Sequence, residues 1–204
     1  MSISTYSDLQ TTIAGYLARS DLTTQIPDFI RLAEVRLRRD LRIRQMLTST
    51  TITCTAGTAT VSIPSNFLQV SDFVVAGNPV QPLVYESPAL FSRNSRTSDS
   101  GKPKTYTVLA STFQLAPIPD SALTLTLIYS AAPDFLSSSN TTNTFLTVCP
   151  DLLLYASLLE AEPYLMNDAR INTWGTMFDR AMSSLTASDE QGQYSGVPLT
   201  MRTT

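Results

Sequence analysis

Six arginines lie within one short stretch of the chain, and they are the residues best suited to bind a charged partner. They are Arg31, Arg36, Arg38, Arg39, Arg42 and Arg44. Guanidinium groups form paired hydrogen bonds with phosphates and equally well with carboxylates. The stretch therefore fits two kinds of partner, the backbone of a nucleic acid or an acidic protein surface.

The rest of the chain has the opposite charge balance. Its 204 residues carry 14 basic and 17 acidic side chains, which gives a net charge of -3, and 15% of residues are charged. Domains that bind nucleic acids are usually basic overall and place aromatic side chains among the cations. Contact with DNA is therefore restricted to the arginine stretch, and it is the alternative rather than the first interpretation.

Helical spacing places the arginines on a second helix, predicted over residues 24–44, whose apolar face begins at Ile26 and Phe29. Two pairs at i,i+4, Glu34 with Arg38 and Arg36 with Asp40, each stabilise such a helix by about 0.2–0.5 kcal/mol. These pairs account for part of the run. The sequence predicts that the remaining stripe contacts carboxylates of another subunit, and its members are Arg31, Arg38 and Arg42.

Other chemistry finds little support in the sequence. The chain has no histidine, which removes the commonest general base and most zinc-site designs, and it lacks the glycine-rich phosphate-binding motifs. Carboxylate neighbours such as Asp189 and Glu190 are typical of solvated surface. Cys54 and Cys149 are expected to be buried free thiols. We therefore expect no enzyme activity, no metal and no cofactor; a hydrolase acting on cell-wall polymers is the weakest alternative.

The elements that must position these residues divide the chain into helical ends and a β-rich middle. A capping box at Thr5 and Asp8 begins a first helix over about residues 5–19, Pro150 begins another that Pro163 kinks or ends, and a last helix includes Trp174. Alternating patterns predict antiparallel strands at 50–55, 58–63, 68–76, 80–85, 105–109, 112–115 and 123–129.

The predicted fold class is α+β, a helical bundle with an inserted antiparallel β-sandwich or barrel. The expected parts are residues 1–46 (helical), 47–134 (inserted β subdomain), 135–187 (a linker and the helices that complete the bundle) and 188–204 (an extended tail). Because the chain has no run of roughly 20 apolar residues, no membrane partner is expected.

The order of the motifs resembles the head-to-tail adaptor proteins of short-tailed bacteriophages, also called tail accessory factors. The resemblance covers about residues 6–185 and rests on collinear order, because no single motif is diagnostic. In order, the matching segments are TYSDLQTTIAGYLARSDL, IPDFIRLAEVRLRRDLRIR, SIPSNFLQV, LVYESP, GKPKTY, QLAPIPD, LIYSAAP, TNTFLTVCPDLLLYASLLEAEPYLMND and the tryptophan at 174.

This resemblance implies a structural virion protein at the neck of the particle, assembled in the host cytoplasm. Twelve copies would form a ring between the portal protein and the tail nozzle, and double-stranded DNA would pass through the channel without sequence-specific binding. The second helix would lie in the ring. Residues 191–204 would grip the portal, and the side chains expected at that interface are Tyr194, Val197, Leu199 and Met201.

Overall fold

A computed structural model describes residues 3–94, 99–166 and 170–193 of the chain. The chain divides into two compact units. One, here the helical unit, comprises residues 1–46 and 133–204; the other, the β unit, comprises residues 47–132. Helices together with two β-sheets confirm the α+β class that the sequence predicts.

The helices in chain order are α1 (Tyr6–Leu17), α2 (Ile26–Asp40), α3 (Pro88–Asn94), α4 (Thr144–Val148), α5 (Pro150–Leu165) and α6 (Ile171–Gln193). A short 3-10 turn spans Arg44–Met46. The strands are β1 (Leu47–Cys54), β2 (Thr60–Ser62), β3 (Phe67–Val75), β4 (Gln81–Pro82), β5 (Val84–Tyr85), β6 (Thr105–Leu109), β7 (Thr112–Ala116) and β8 (Leu123–Ala131).

Helix α5 is the centre of the helical unit. It packs against α1, α2, α4 and α6, and its buried residues lie all round the helix because apolar side chains occupy nearly every position of its first turns. Pro150 occupies a first-turn position, where its missing N–H costs no hydrogen bond. The helix ends two residues after Pro163, as the sequence predicts. No helix in the described ranges is long and apolar enough to cross a membrane.

Local capping fixes the start of α1. The Thr5 hydroxyl accepts a hydrogen bond from the Asp8 backbone N–H at 3.2 Å, and the Asp8 carboxylate accepts one from the Thr5 N–H at 3.0 Å. This reciprocal pair satisfies two donors that the first turn of a helix leaves without partners. The capping box predicted from the sequence is confirmed.

Three predicted helix boundaries are wrong. Helix α2 ends at Asp40 rather than residue 44, because Leu41 turns into an extended conformation that buries both Leu41 and Ile43. Helix resumes at Thr144, inside the predicted linker, because the Asn143 side chain caps α4. Helix α6 continues to Gln193, so the tail predicted to be extended from residue 188 is helical as far as 193.

The β unit contains two four-stranded sheets, with strand orders β1-β8-β3-β4 and β2-β7-β6-β5. β1 pairs with β8 over its whole length without a shift, whereas β3 pairs with β8 through two irregularities. Side chains from both sheets share one apolar core, in which the rings of Phe73 and Phe113 lie 4.9 Å apart between centroids. This core determines which face of each strand is buried.

The segment predicted as one strand over residues 80–85 is two strands in different sheets. Gln81–Pro82 pairs with β3, and after the buried Leu83 the next residues pair with β6. The second pairing is parallel, so the prediction of purely antiparallel sheets is wrong at this point. Pro82 is tolerated because β4 is an edge strand, where a missing N–H need not break the ladder.

Cys54 lies in the core of the β unit and Cys149 at the start of α5, and both are free and buried, as predicted. Burial raises the pKa of the Cys149 thiol to about 12, and the nearby Asp151 adds to the shift. Such a thiol is protonated at neutral pH and behaves as a small apolar side chain.

Candidate interaction surface

Arg31 and Arg38 enclose the ring of Phe135. Their guanidinium carbons lie 3.0 Å and 3.2 Å from the ring centroid. The negative faces of an aromatic ring attract cations, so Phe135 is held by two residues that are seven positions apart on α2.

The backbone around Phe135 is bound by the same helix. Arg38 donates a hydrogen bond from Nη2 to the carbonyl of Pro133. Glu34, between the two arginines on α2, accepts from the Leu136 N–H at 3.0 Å and from the side-chain amide of Asn143 at 2.6 Å. We call this arrangement the α2 clamp, and its members are Arg31, Glu34, Arg38, Phe135 and Asn143. It fastens residues 133–143 along α2.

Glu34 is the buried charge of the clamp. It is only 1% exposed, and burial raises its pKa, although the two hydrogen bonds and the positive charges of Arg38 and Arg31 act in the opposite direction. Burial also lowers the pKa of Arg38. A carboxylate and two guanidinium groups in one site lower the free-energy cost of burying each charge. The i,i+4 salt bridge predicted for Glu34 and Arg38 does not form among the described residues; the two charges attract each other, and each side chain binds the segment around Phe135 instead.

Three other arginines of the stretch also bind within the helical unit. Arg36 joins three helices, because it lies 3.4 Å from Glu160 of α5, 4.0 Å from Asp40 of α2 and 4.7 Å from the Phe178 ring of α6. Arg42 has left the helix and donates to the carbonyls of Arg38 and Leu41. It therefore does not share the α2 stripe of Arg31 and Arg38 in the way the sequence predicts.

Arg44 pairs with the last turns of α6. Its backbone N–H and its Nε donate to Oδ1 of Asp189 at 2.9 Å and 3.2 Å. Asp189 is only 8% exposed and occupies the next position after Leu185 along the inward stripe of α6. The guanidinium group lies over Gly192, at the position that a Cβ atom would occupy. This contact explains why α6 continues beyond residue 188.

Arg39 differs from its neighbours in the described structure. It is exposed on α2, and no hydrogen bond or ion pair joins it to any residue in the described ranges. Leu32, seven residues earlier on the same side of the helix, is 50% exposed. Val35, between Leu32 and Arg39, is half-buried. We call these three residues the outer face of α2. An apolar side chain beside a free cation is typical of a protein contact surface.

Further large apolar side chains are exposed on the helical unit. They are Tyr16 on α1, Tyr164 and Met166 at the end of α5, and Met177 on α6. The sequence does not single out Arg39, Phe135 or Asn143 as members of an interaction surface. Asn143 has a local signal, since asparagine before a helical segment is a preferred N-cap. Phe135 and Arg39 have none, because only their three-dimensional neighbours distinguish them.

The carboxylates that could take part in chemistry form ion pairs within the fold instead. Within the described residues, Glu160 pairs with Arg36 and Asp189 with Arg44, and no group of three or more potential ligands is placed to hold a metal ion. The predicted interface residues Tyr194, Val197, Leu199 and Met201 lie outside the described residues. The predicted contacts of Arg31, Arg38 and Arg42 with another subunit stay predictions.

A comparison with protein-family models gives a match. A family model described as SU10 adaptor protein matches residues 4–202, which is nearly the whole chain. No curated protein matches it. The match includes the arginine stretch, the β unit and all of α6.

Proposed function

Because the chain belongs to the SU10 adaptor protein family and is therefore a phage adaptor and a virion component, we propose that it joins the head of the particle to the tail. In this proposal twelve copies form a ring at the neck, between the portal protein and the tail nozzle, and extend the channel through which double-stranded DNA leaves the head. The protein is structural and has no enzyme activity. The family match over residues 4–202 is the observation that carries the proposal.

The helical unit is the part that forms the ring. Its helices pack as a bundle around α5, and the outer face of α2, with Leu32 and Arg39, contacts the neighbouring copy. Head-to-tail contacts of this kind close into a ring when each copy presents two different complementary surfaces. The β unit is an inserted, sandwich-like subdomain. Residues 191–204 contact the portal protein.

DNA contact through the arginine stretch is the alternative function. Five of its six arginines have partners within the helical unit, and in four of them hydrogen bonds already use part of the guanidinium donors. A net charge of -3 also suits a channel wall, because a cationic wall would hold DNA by counterion release. Binding to duplex DNA that weakens steeply with salt and disappears in Arg39→Ala would favour the alternative.

Electron microscopy of the protein mixed with the portal protein of its phage tests the adaptor role. We expect rings of twelve copies seated on the portal, and a portal that stays bare would contradict the proposal. Leu32→Asp should abolish the rings because it places a charge within the ring contact. Leu90→Asp is the matched control, because Leu90 of α3 is 52% exposed and lies in the β unit. Equal effects of the two variants would contradict ring formation through α2.

A further inference from the structure

Strand β1 is an open edge of its sheet. It is the first strand in the order β1-β8-β3-β4, and its backbone bonds to β8 on one side. Among the described residues, no other backbone hydrogen bond reaches residues 47–54. Most of its residues are exposed, and Leu47 is 46% exposed. The outer side of β1 therefore presents a row of N–H and C=O groups to solvent.

The other edges in the described β unit are blunted. β2 has three residues, β5 has two, and β4 has two of which one is Pro82. β4 pairs with only the last two residues of β3, but the open part of β3 carries the charged Asp72 and pairs with β8 through two irregularities. Short edge strands and proline are among the devices by which proteins prevent strands of other molecules from adding to a sheet. β1, by contrast, has eight residues and pairs with β8 without a bulge. It is the strand with the length and regularity needed to accept another strand.

β1 also lacks the residue types that prevent another strand from pairing with an edge strand. Its sequence, LTSTTITC, has no charged residue, no proline and no glycine. The side chains alternate, with Thr50, Ile52 and Cys54 partly or fully buried and the residues between them exposed. Edge strands that remain free in solution usually carry a lysine or another charge that repels an incoming strand. We therefore expect β1 to be covered.

We propose that β1 pairs with β1 of a second copy, antiparallel, across a two-fold axis at Thr51. Opposite residues in an antiparallel pair point to the same face, so a register centred on one residue keeps both cores on the same side of the joined sheet. It places Thr51 opposite Thr51 and Thr50 opposite Ile52. Threonine pairs and uncharged neighbours favour such pairing, whereas like charges would oppose it.

The second copy is the occupant that this edge fits best. A strand that pairs along all of β1 must itself be long, uncharged and free on one side, and β1 is the described strand of this chain that meets those conditions. A two-fold contact of identical surfaces closes at two copies. It is independent of the ring proposed above, whose contacts come from the helical unit, and it forms in the free protein.

Disulfide trapping of the free protein, without portal, tests the register. In Thr51→Cys the two new thiols face each other across the axis, with Cα atoms about 4.5–5.5 Å apart in either type of antiparallel pair. This separation lies in the range that a disulfide spans. Mild oxidation should convert most of the protein to a species of twice 22.3 kDa. Thr53→Cys is the matched control, because residue 53 faces Ser49 and should form no disulfide-linked dimer.

Charge variants test the pairing without a covalent bond. Thr51→Glu and Thr51→Lys each place like charges opposite each other, so light scattering should show monomers where the unmodified protein forms dimers. Mixing the two variants should restore the dimer. A monomeric unmodified protein, equal trapping at positions 51 and 53, or a mixture that stays monomeric would each overturn the proposal. A larger assembly in which Thr51→Cys is not trapped would overturn it as well.

Discussion

The side-chain amide of Asn143 donates a hydrogen bond of 2.6 Å to the buried carboxylate of Glu34, 109 positions earlier in the chain. The same side chain accepts, through Oδ1, from the Leu146 N–H at 3.0 Å and so caps α4. One residue therefore satisfies a buried charge on α2 and begins another helix. It links the α2 clamp to the segment that leads into α5.

Replacing Asn143 by alanine should destabilise the protein strongly. The variant loses a hydrogen bond to a charged group, worth about 1.5–3 kcal/mol, and a helix cap, worth about 1 kcal/mol. We expect the free energy of unfolding, measured by urea denaturation, to fall by about 2–4 kcal/mol. Asn140→Ala is the control, since Asn140 donates to the neutral carbonyl of Phe135 and should cost about 1 kcal/mol. Equal losses would contradict the role of the Glu34 charge.

The buried Glu34 predicts a particular pH dependence of stability. Because burial raises its pKa above the ordinary value of 4.5, the folded protein binds this proton more tightly than the unfolded chain. The contribution of Glu34 to stability is therefore fully present below pH 4.5 and is lost as the pH rises through the folded pKa. Glu34→Gln cannot titrate at this position.

The measurement is the difference in the free energy of unfolding between the unmodified protein and Glu34→Gln, taken at several pH values. We expect the unmodified protein to lose stability relative to the variant as the pH rises from about 4 towards neutrality. Taking the difference removes the contribution of every other titrating group. A difference that stays constant, or that changes in favour of the unmodified protein, would show that the clamp stabilises the charged form.

The ring of Phe135 should contribute more than its apolar area. Phe135→Leu keeps an apolar side chain but removes the aromatic faces on which Arg31 and Arg38 lie, each contact being worth about 0.5–1 kcal/mol. The expected loss in the free energy of unfolding is about 1–2 kcal/mol. A double-mutant cycle isolates the interaction: Arg31→Gln should cost less in the Phe135→Leu background than alone. Strict additivity would mean that the guanidinium and the ring do not interact.

Features fixed by neighbouring residues could be predicted from the sequence. The capping box at Thr5, the proline at the start of α5 and the end of that helix near Pro163 depend on residues within one turn. The alternation of apolar and polar residues in the sequence predicts most of the strands. The prediction of one strand over residues 80–85 is wrong because the two halves of this segment belong to different sheets. A pattern of alternation does not show which strand each half pairs with.

Contacts between distant parts of the chain could not be predicted. Asp189 interrupts the apolar pattern of α6, and Arg44, 145 positions away, pairs with it and favours its burial. Nothing near Arg31 or Arg38 in the sequence indicates that both side chains contact Phe135. A single chain read without its contacts cannot distinguish a cation that binds a partner from one that binds its own fold.

The two native thiols should be unreactive in the folded protein. Burial raises the pKa of Cys149 to about 12, and Cys54 is 2% exposed, so neither presents an accessible thiolate. An aromatic disulfide reagent at mildly alkaline pH should modify both only after urea unfolds the chain. Ser138→Cys, in an exposed part of the segment before α4, is the positive control and should react at once. Rapid reaction of the unmodified protein would contradict the burial of the thiols.

The contact between Arg44 and Gly192 predicts that two glycine-to-alanine changes in one helix differ. Gly175→Ala meets no neighbouring atom and should stabilise α6 by about 0.5–1 kcal/mol, the usual difference between the two residues inside a helix. Gly192→Ala places its methyl group where the Arg44 guanidinium lies, so the arginine must move away from Asp189. This loss should offset the gain in helix stability, so Gly192→Ala should change the free energy of unfolding by about half as much as Gly175→Ala, or less.

The background variant Arg44→Ala separates this explanation from fraying at the end of α6. Without the guanidinium, the new methyl group meets no obstacle, so Gly192→Ala should be more stabilising in Arg44→Ala than in the unmodified protein. Gly175→Ala should have the same effect in both backgrounds, because residue 175 lies nearly five turns away along the helix. If the effect of Gly192→Ala does not depend on Arg44, the end of α6 is not held by this arginine.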